Sequence, residues 1–300
     1  MIEGALGGEL VANQFLQSFA SPLLTLFFQL ITYLGHPAFW FIIAAYLFWT
    51  GRERKSFTIA TIILFSGVIV GELKLLIARP RPETLLVLDY ESTYAMPSGH
   101  SALSAAFASY AWLNKKVTEN LKIIMLFVFI LVAISRLYLG VHYLSDIFVG
   151  ALIGIIIGWF ILKIEGKLNA LHFHVSKLEE EFLIIILLSA MVIAYVVLNI
   201  EYNAAYTIFG YYLGYIAYRH SGINIEKTKT TKQTLVATII GILIIGVLSL
   251  IANSMIGIQS QGLFFFIGFF ITRIWPIVID KAVKKRESIK TKKRSKSHGK

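Results

Sequence analysis

S-F-T-I-A-T-I-I-L-F-S-G-V-I-V-G-E-L-K-L-L-I-A, from Ser56 to Ala78, decides the fold. Its only charges are Glu72 and Lys74. It is long enough to cross a bilayer core of about 30 Å, which takes about 20 helical residues. Runs of the same kind recur at Leu121–Tyr138, Tyr143–Leu162, Glu181–Ile200, Ala204–Tyr218, Thr234–Ile251 and Gly262–Ile279, and Ala38–Thr50 is a shorter, aromatic-rich one. Ser101–Leu113, rich in Ala and Ser, reads as a helix packed inside the bundle. Phe15–Tyr33 is interrupted by Gln17, Ser18, Ser21, Pro22 and Gln29. It is expected either to lie along the interface or to cross as an extra helix. Gly35-His36-Pro37 ends it, with His36 as an interfacial polar residue or, alternatively, one near the mouth of a site. The expected fold is an all-α, polytopic transmembrane helical bundle of nine spans, or ten if Phe15–Tyr33 crosses.

Composition supports this. At 57% hydrophobic and 15% charged, with mean hydropathy +0.72, the 300-residue chain is too apolar for an ordinary soluble domain. It has no cysteine, which excludes disulfides and thiolate metal sites. Residues 1–9 are Gly-rich and acidic, without the basic n-region of a signal peptide. The net charge of +11 would suit nucleic acid, but its location argues otherwise. Lys281–Lys300 holds ten Lys/Arg and one Glu. A basic block just after a span marks the cytoplasmic side and touches anionic lipid. No nucleic-acid partner is expected.

The loops orient the chain. Arg52, Arg54 and Lys55, then Lys115, Lys116 and Lys122, then Lys163, Lys167 and Lys177, then Arg219, Lys227, Lys229 and Lys232, fall on alternate loops with the tail. The positive-inside rule makes these cytoplasmic. Arg79–His100 and Arg136–His142 then share the outer face, and their own positive charge runs against the rule.

Three polar clusters lie on that face: K-L-L-I-A-R-P-R-P at Lys74–Pro82, P-S-G-H at Pro97–His100, and S-R-L-Y-L-G-V-H-Y-L-S-D at Ser135–Asp146. Lys74 is costly in a membrane helix unless it pairs or snorkels, and it is expected to share a polar pocket with Arg81. Pro80 and Pro82 stop the helix and fix where Arg79 and Arg81 project. Ser98 is expected to cap a helix whose first N–H groups form an anion site, with Gly99 allowing close approach and His100 in the first turn. His142 and Asp146, four apart, are expected on one helix face, so that Asp146 bonds one ring nitrogen and sharpens the other as a nucleophile. Cations, helix-start amides and two imidazoles suit the holding of a phosphate and the breaking of its ester.

K-x6-R-P (Lys74, Arg81, Pro82), P-S-G-H (Pro97–His100) and S-R-x5-H-x3-D (Ser135, Arg136, His142, Asp146) resemble, in order, the three-part signature of the type 2 phosphatidic acid phosphatase superfamily. The resemblance covers roughly residues 15–165. It implies metal-independent hydrolysis without a cofactor, through a phosphohistidine. His142 would attack phosphorus, Asp146 orient it, and His100 protonate the leaving oxygen. Lys74, Arg81, Ser98, Gly99 and Arg136 would hold the phosphoryl oxygens. Arg79 lies outside the signature and is assigned a headgroup contact.

The expected organisation is a catalytic membrane core at 1–165, a transmembrane extension of about four helices at 166–280, and a basic cytoplasmic tail at 281–300. The extension bears no motif. Gly210, Gly214, Gly241 and Gly246 would allow close helix packing, Glu201 and Arg273 would snorkel, and His172, His174 and His220 would sit on cytoplasmic loops. The expected substrate is a membrane lipid phosphate: phosphatidylglycerophosphate, phosphatidic acid or an isoprenoid diphosphate. The alternatives are glucose-6-phosphatase-like hydrolysis of a soluble ester and a lipid transporter with a phosphatase-like core. A haloperoxidase would hold vanadate in the same pocket, but the membrane spans argue against it. The expected location is a bacterial plasma membrane, with the site on the extracytoplasmic face.

Overall fold

The computed structural model describes residues 8–82, 93–171, 203–221 and 232–281, and every regular element in them is helical. The expected span Glu181–Ile200, Glu201, His172, His174 and the tail beyond Lys281 lie outside the described residues. The helices are α1 (Glu9–Gln17), α2 (Pro22–Thr32), α3 (Pro37–Trp49), α4 (Glu53–Ile77), α5 (Gly99–Leu113), α6 (Glu119–Tyr138), α7 (Leu144–Leu171), α8 (Asn203–Arg219), α9 (Lys232–Ser254) and α10 (Ile258–Phe269). A π-helical turn at Phe270–Ile274 carries α10 on towards Lys281.

Five of these are long and apolar enough to cross a membrane: α4, α6, α7, α9 and Ile258–Lys281. A sixth arises if Pro22–Gly35 and Pro37–Trp49, bent by 55°, form one broken span. The described residues thus hold fewer full-length spans than expected for them. At 1.5 Å per residue, α5 reaches only about 22 Å. Phe15–Tyr33 is not one segment either. Its apolar residues divide between α1 and α2, because Pro22 starts a new helix and Ser21 caps it, accepting from the Leu24 N–H at 3.3 Å.

Two packing units divide the described chain. One holds residues 8–40, 61–82 and 93–171; the other holds 41–60, 203–221 and 232–281. In the first, α5 is the central element, with Ser101–Ala108 buried throughout. α7 lies on it through Gly150, Gly154 and Gly158. A Cβ at Gly150 would come within 2.5 Å of the Ser98 carbonyl oxygen, and at Gly154 and Gly158 it would overlap the carbonyl oxygens of Ala102 and Ala106. Four-residue spacing of small side chains lets two backbones approach where lipid supplies no hydrophobic drive. Trp40 stacks on Phe107 at 3.6 Å and Phe65 meets Phe160 edge-on, which holds α3 and α4 to the same pair.

The second unit uses the same device. Gly210 and Gly214 face the backbone of Phe265 and Phe269, Gly268 faces Thr207, and Gly241 faces Trp275 and Trp49. Gly246, expected to do likewise, has nothing within 4 Å. Buried polar groups there are tied to backbone: Trp49 Nε1 donates to Ile271 O (2.7 Å), and Ser56 Oγ donates to Ala44 O (2.5 Å) and meets Tyr211 Oη (2.7 Å). Arg273 sits half-buried in the π-helical turn, with its Nη1 enclosed and without a hydrogen bond.

Candidate active site

All three clusters fall in the first unit, and the hydrogen bonds between them show how they are held. α4 ends at Ile77, Ala78 turns the chain with a left-handed φ of 49°, and Pro80 prevents any return to helix. That turn sends Arg79 and Arg81 different ways. Arg81 faces the site. It donates from Nε to Thr93 O (2.6 Å), from Nη1 to Val141 O (2.6 Å), and from Nη2 to Tyr94 O (3.2 Å). Its Nη1 also lies 3.3 Å from His142 Nε2. Lys74 Nζ and Arg81 Nη2 converge on Thr93 Oγ1, at 2.9 and 3.3 Å, so the expected shared pocket is present.

Arg79 corrects the sequence reading. It does not reach towards a headgroup but is fully buried. Its Nη1 donates to Asp146 Oδ1 (2.7 Å) and Ser145 Oγ (2.6 Å), its Nη2 to Glu9 Oε2 (2.5 Å), and its guanidinium lies 4.1 Å from the centre of the Tyr143 ring. Two carboxylates and an aromatic face thus surround one buried cation.

In the second cluster the expected cap and the place of His100 are present. Ser98 caps α5, its Oγ accepting from the Ser101 N–H (3.4 Å), and its own N–H donates to the Asp146 carbonyl (3.0 Å). That last bond locks the second cluster to the third. His100, in the first turn of α5, packs on the break between α2 and α3. A Cβ on Gly35 would come within 3.0 Å of His100 Cβ. The His36 ring lies 5.9 Å from that of His100, which brings His36 to the site rather than leaving it merely interfacial.

The third cluster has a different local form from the one expected. α6 ends at Tyr138, Gly140 turns the chain with φ 74°, and α7 starts only at Leu144. His142 therefore precedes the helix and shares no helix face with Asp146. Asp146 instead sits at the third position of α7, and its Oδ2 accepts from the Tyr143 N–H at 2.8 Å, the return bond of a capping box. The same oxygen lies 3.5 Å from His142 Nδ1, close enough for charge interaction but outside hydrogen-bond geometry. Arg136, buried at the end of α6, donates to Thr32 Oγ1 of α2 (2.5 Å). Burial first, then Arg81 and Arg136, hold the His142 imidazole well below its ordinary pKa of 6.5.

The site is thus a cationic cage around a buried, neutral imidazole, built from the ends of four helices and two turns. Residues 55–170, which contain every part of it except those from α1, α2 and the Gly35–His36 break, match the family model of the PAP2 superfamily. Through that stretch, the chain belongs to the PAP2 superfamily. Among curated PAP2-type relatives, phosphatidylglycerophosphatase B of Bacillus subtilis is 27% identical over 46% of this chain and 74% of its own length. The undecaprenyl-diphosphatase of Sulfolobus acidocaldarius is 28% identical over 44% of this chain and 66% of its own. The crystal structure of Aquifex aeolicus LpxE is 31% identical, covers 53% of this chain and 96% of that one, and superposes with a TM-score of 0.48. The chain spans about half the length of several curated relatives it matches.

Sequence reasoning missed Glu9, Asn13 and Thr93 in this PAP2 site, and gave Arg79, beside the signature, the wrong partner. Glu9, Asn13 and Gln17 did leave a signal, since polar residues at four-residue spacing in an apolar stretch mark one helix stripe.

Proposed function

We propose that this protein is an integral-membrane lipid phosphatase that hydrolyses a phosphate monoester or diphosphate through a phosphohistidine. The observation that carries this reading is His142. A buried imidazole is held neutral by burial and by two arginines, with one nitrogen turned to Asp146 and the other to the cations.

The chemistry follows from that arrangement. The lone pair of His142 Nε2 attacks phosphorus as the ester P–O bond breaks; His100, which burial and then Arg136 also hold well below 6.5, takes up a proton against the negative charge of the bound phosphate and gives it to the leaving oxygen. Water then attacks the phosphohistidine and yields a proton to His100. The P–N bond breaks, and phosphate leaves. Asp146 steadies the imidazolium that forms in between. Lys74, Arg81, Arg136 and the Gly99 amide take the charge of the phosphoryl oxygens, which is the main demand of phosphoryl transfer, while the Ser98 amide is held by the Asp146 carbonyl and fixes the turn. Among the described residues no three His, Asp or Glu side chains gather to ligate a metal, and no step above calls for one.

The lipid reading rests on where the cage sits. Its parts come from the ends of membrane-length helices α4, α6 and α7, so a headgroup reaches it while the chains stay in hydrocarbon. The charge pattern of the loops supports an extracytoplasmic site. The relatives include a phosphatidylglycerophosphatase and an undecaprenyl-diphosphatase. Phosphate release should therefore be measured on phosphatidylglycerophosphate, phosphatidic acid and an isoprenoid diphosphate, with glucose 6-phosphate as the soluble control and EDTA present. At least one lipid is expected to turn over with a far lower KM than the sugar phosphate. Equal efficiency on the sugar would replace the lipid reading with hydrolysis of a soluble ester.

The pH profile tests the nucleophile. Attack needs neutral His142, and a depressed pKa keeps it neutral as pH falls. The acid limb of kcat/KM is therefore expected below the ordinary imidazole value of about 6.5. A limb at or above that value contradicts the assignment. His100→Ala should slow kcat by roughly 10²–10⁴, the usual loss for a missing general acid.

A further inference from the structure

α1 lies outside the stretch that matches the PAP2 superfamily, yet it grips the loop that carries His142. Asn13, fully buried, donates from Nδ2 to two carbonyl oxygens, Leu137 O and His142 O, each at 2.9 Å. Gln17 Nε2 donates to Tyr138 O (2.9 Å), and Glu9 Oε1 accepts from the Ser145 N–H (2.9 Å). One polar stripe thus fixes the backbone on both sides of His142 and at the residue itself. Through its other oxygen, Glu9 also holds Arg79, and Arg79 holds Asp146.

The opposite stripe is apolar and exposed. Two positions on, about 200° around a helix with 3.6 residues per turn, come Val11 (64% exposed) and Phe15 (63%). Phe19 (59%), just past the helix end, continues the line and meets Phe15 edge-to-face at 5.4 Å. α1 is therefore amphipathic in the reverse sense of a helix on a soluble protein: its buried residues are polar, and its exposed side carries Val11 and Phe15 beside Gln14, continued by Phe19. In water that arrangement would leave a row of large apolar groups uncovered. The loop it grips joins α6 to α7, two helices of membrane length, so α1 sits where those spans leave the hydrocarbon. Lipid at the interface is the partner that suits its outer stripe.

We propose that α1 is a lipid-seated clamp. The bilayer interface holds its Val11–Phe15–Phe19 face, and Glu9, Asn13 and Gln17 act as positioning residues that fix the His142 loop for attack. This rests on the phosphohistidine reading for its catalytic part. Misplacing a reacting group by about 1 Å can cost on the order of 10²-fold in rate, and a loop released from Asn13 gains that freedom.

The test uses the full-length protein in lipid nanodiscs. Asn13→Ala should lower kcat by about 10- to 100-fold with KM nearly unchanged, and hydrogen exchange should quicken in the 137–145 segment. Asn13→Asp keeps the size but sets an oxygen against two carbonyls, so it should be at least as slow as Asn13→Ala. Gln17→Ala should show the same pattern more weakly, centred on Tyr138, and it serves as the readout if the Asn13 variants do not fold. The chain has no native cysteine, so a nitroxide on Phe15→Cys reports directly on the outer stripe. It should be relaxed more by oxygen than by a water-soluble nickel chelate. Folded variants with wild-type kcat and exchange would overturn the clamp, as would a loss expressed only in KM. Preferential relaxation by nickel would overturn the lipid seat. If wild-type protein releases phosphate from no lipid, the lipid-phosphatase reading fails, while exchange and nitroxide relaxation still decide the clamp.

Discussion

Alanine at position 142 should leave a folded protein that releases no measurable phosphate. His142 is the group proposed to form the bond to phosphorus, and the other imidazoles, His100 and His36, lie together on the far side of the cage's proposed reaction line. Lys74, Arg81 and Arg136 are cations, and His100 is placed by α5 against the break at Gly35, on the side assigned to the leaving group. Losing a nucleophile from a site that otherwise still binds substrate lowers kcat by roughly 10⁴–10⁶. The fold should tolerate the change, because the loop is held through the His142 carbonyl, which alanine keeps. The check is phosphate release at saturating lipid, beside thermal unfolding of the same preparation. Retention of even one part in a hundred of the wild-type kcat would move the nucleophile elsewhere.

Arg79→Met should have the largest effect on stability. The substitution keeps much of the side-chain volume but removes the cation lying between Glu9 and Asp146 at 2.5 and 2.7 Å. Taking one partner from a buried ion pair costs about 3–5 kcal/mol, because the charge left behind is neither solvated nor paired. Asp146 stays buried, so the loss has no easy route to water. A fall of thermal midpoint on the order of 10 °C is expected for a chain of this size. The double variant Glu9→Gln with Arg79→Met should recover part of it by removing one orphaned charge. An unchanged midpoint in the single variant would show that Arg79 is not the keystone of this network.

The helical membrane fold and the three polar clusters that meet in one place could be read from sequence because each is a local signal. Polar side chains stand out in apolar runs, and prolines and glycines mark where helices stop. Even so, the local form of the third cluster was misread. Four-residue spacing predicted a shared helix face for His142 and Asp146, but Gly140 and a capping box at Tyr143–Asp146 delay α7 until Leu144. Five or six full-length spans emerge from the described residues because α3 and α8, of 13 and 17 residues, stop short of a full crossing, whereas the short buried α5 was already legible in its Ala and Ser content. The partners of Glu9, Asn13 and Arg79 were out of reach for another reason. They lie 60 to 140 residues away along the chain, and no spacing rule within one helix announces such contacts. The Gly150, Gly154 and Gly158 stripe was legible at helical spacing, though only glycines of the second unit had been singled out.

The distance between α1 and its loop also bears on how the protein is made. Asn13 and the carbonyl of His142 are separated by 129 positions in the chain. At about 5–20 residues per second of synthesis, α1 leaves the ribosome some 6–25 s before the loop it binds exists. During that interval Asn13 lacks the loop carbonyls it binds, although Arg79, the partner of Glu9, is made before them, and the aromatic stripe can already enter lipid. Newborn α1 would wait at the membrane surface, and the site would be completed only when α6 and α7 are inserted and the loop between them arrives. Catalytic competence would then come as a late event of biogenesis, set by arrival of the start of α7 rather than by the helix made first.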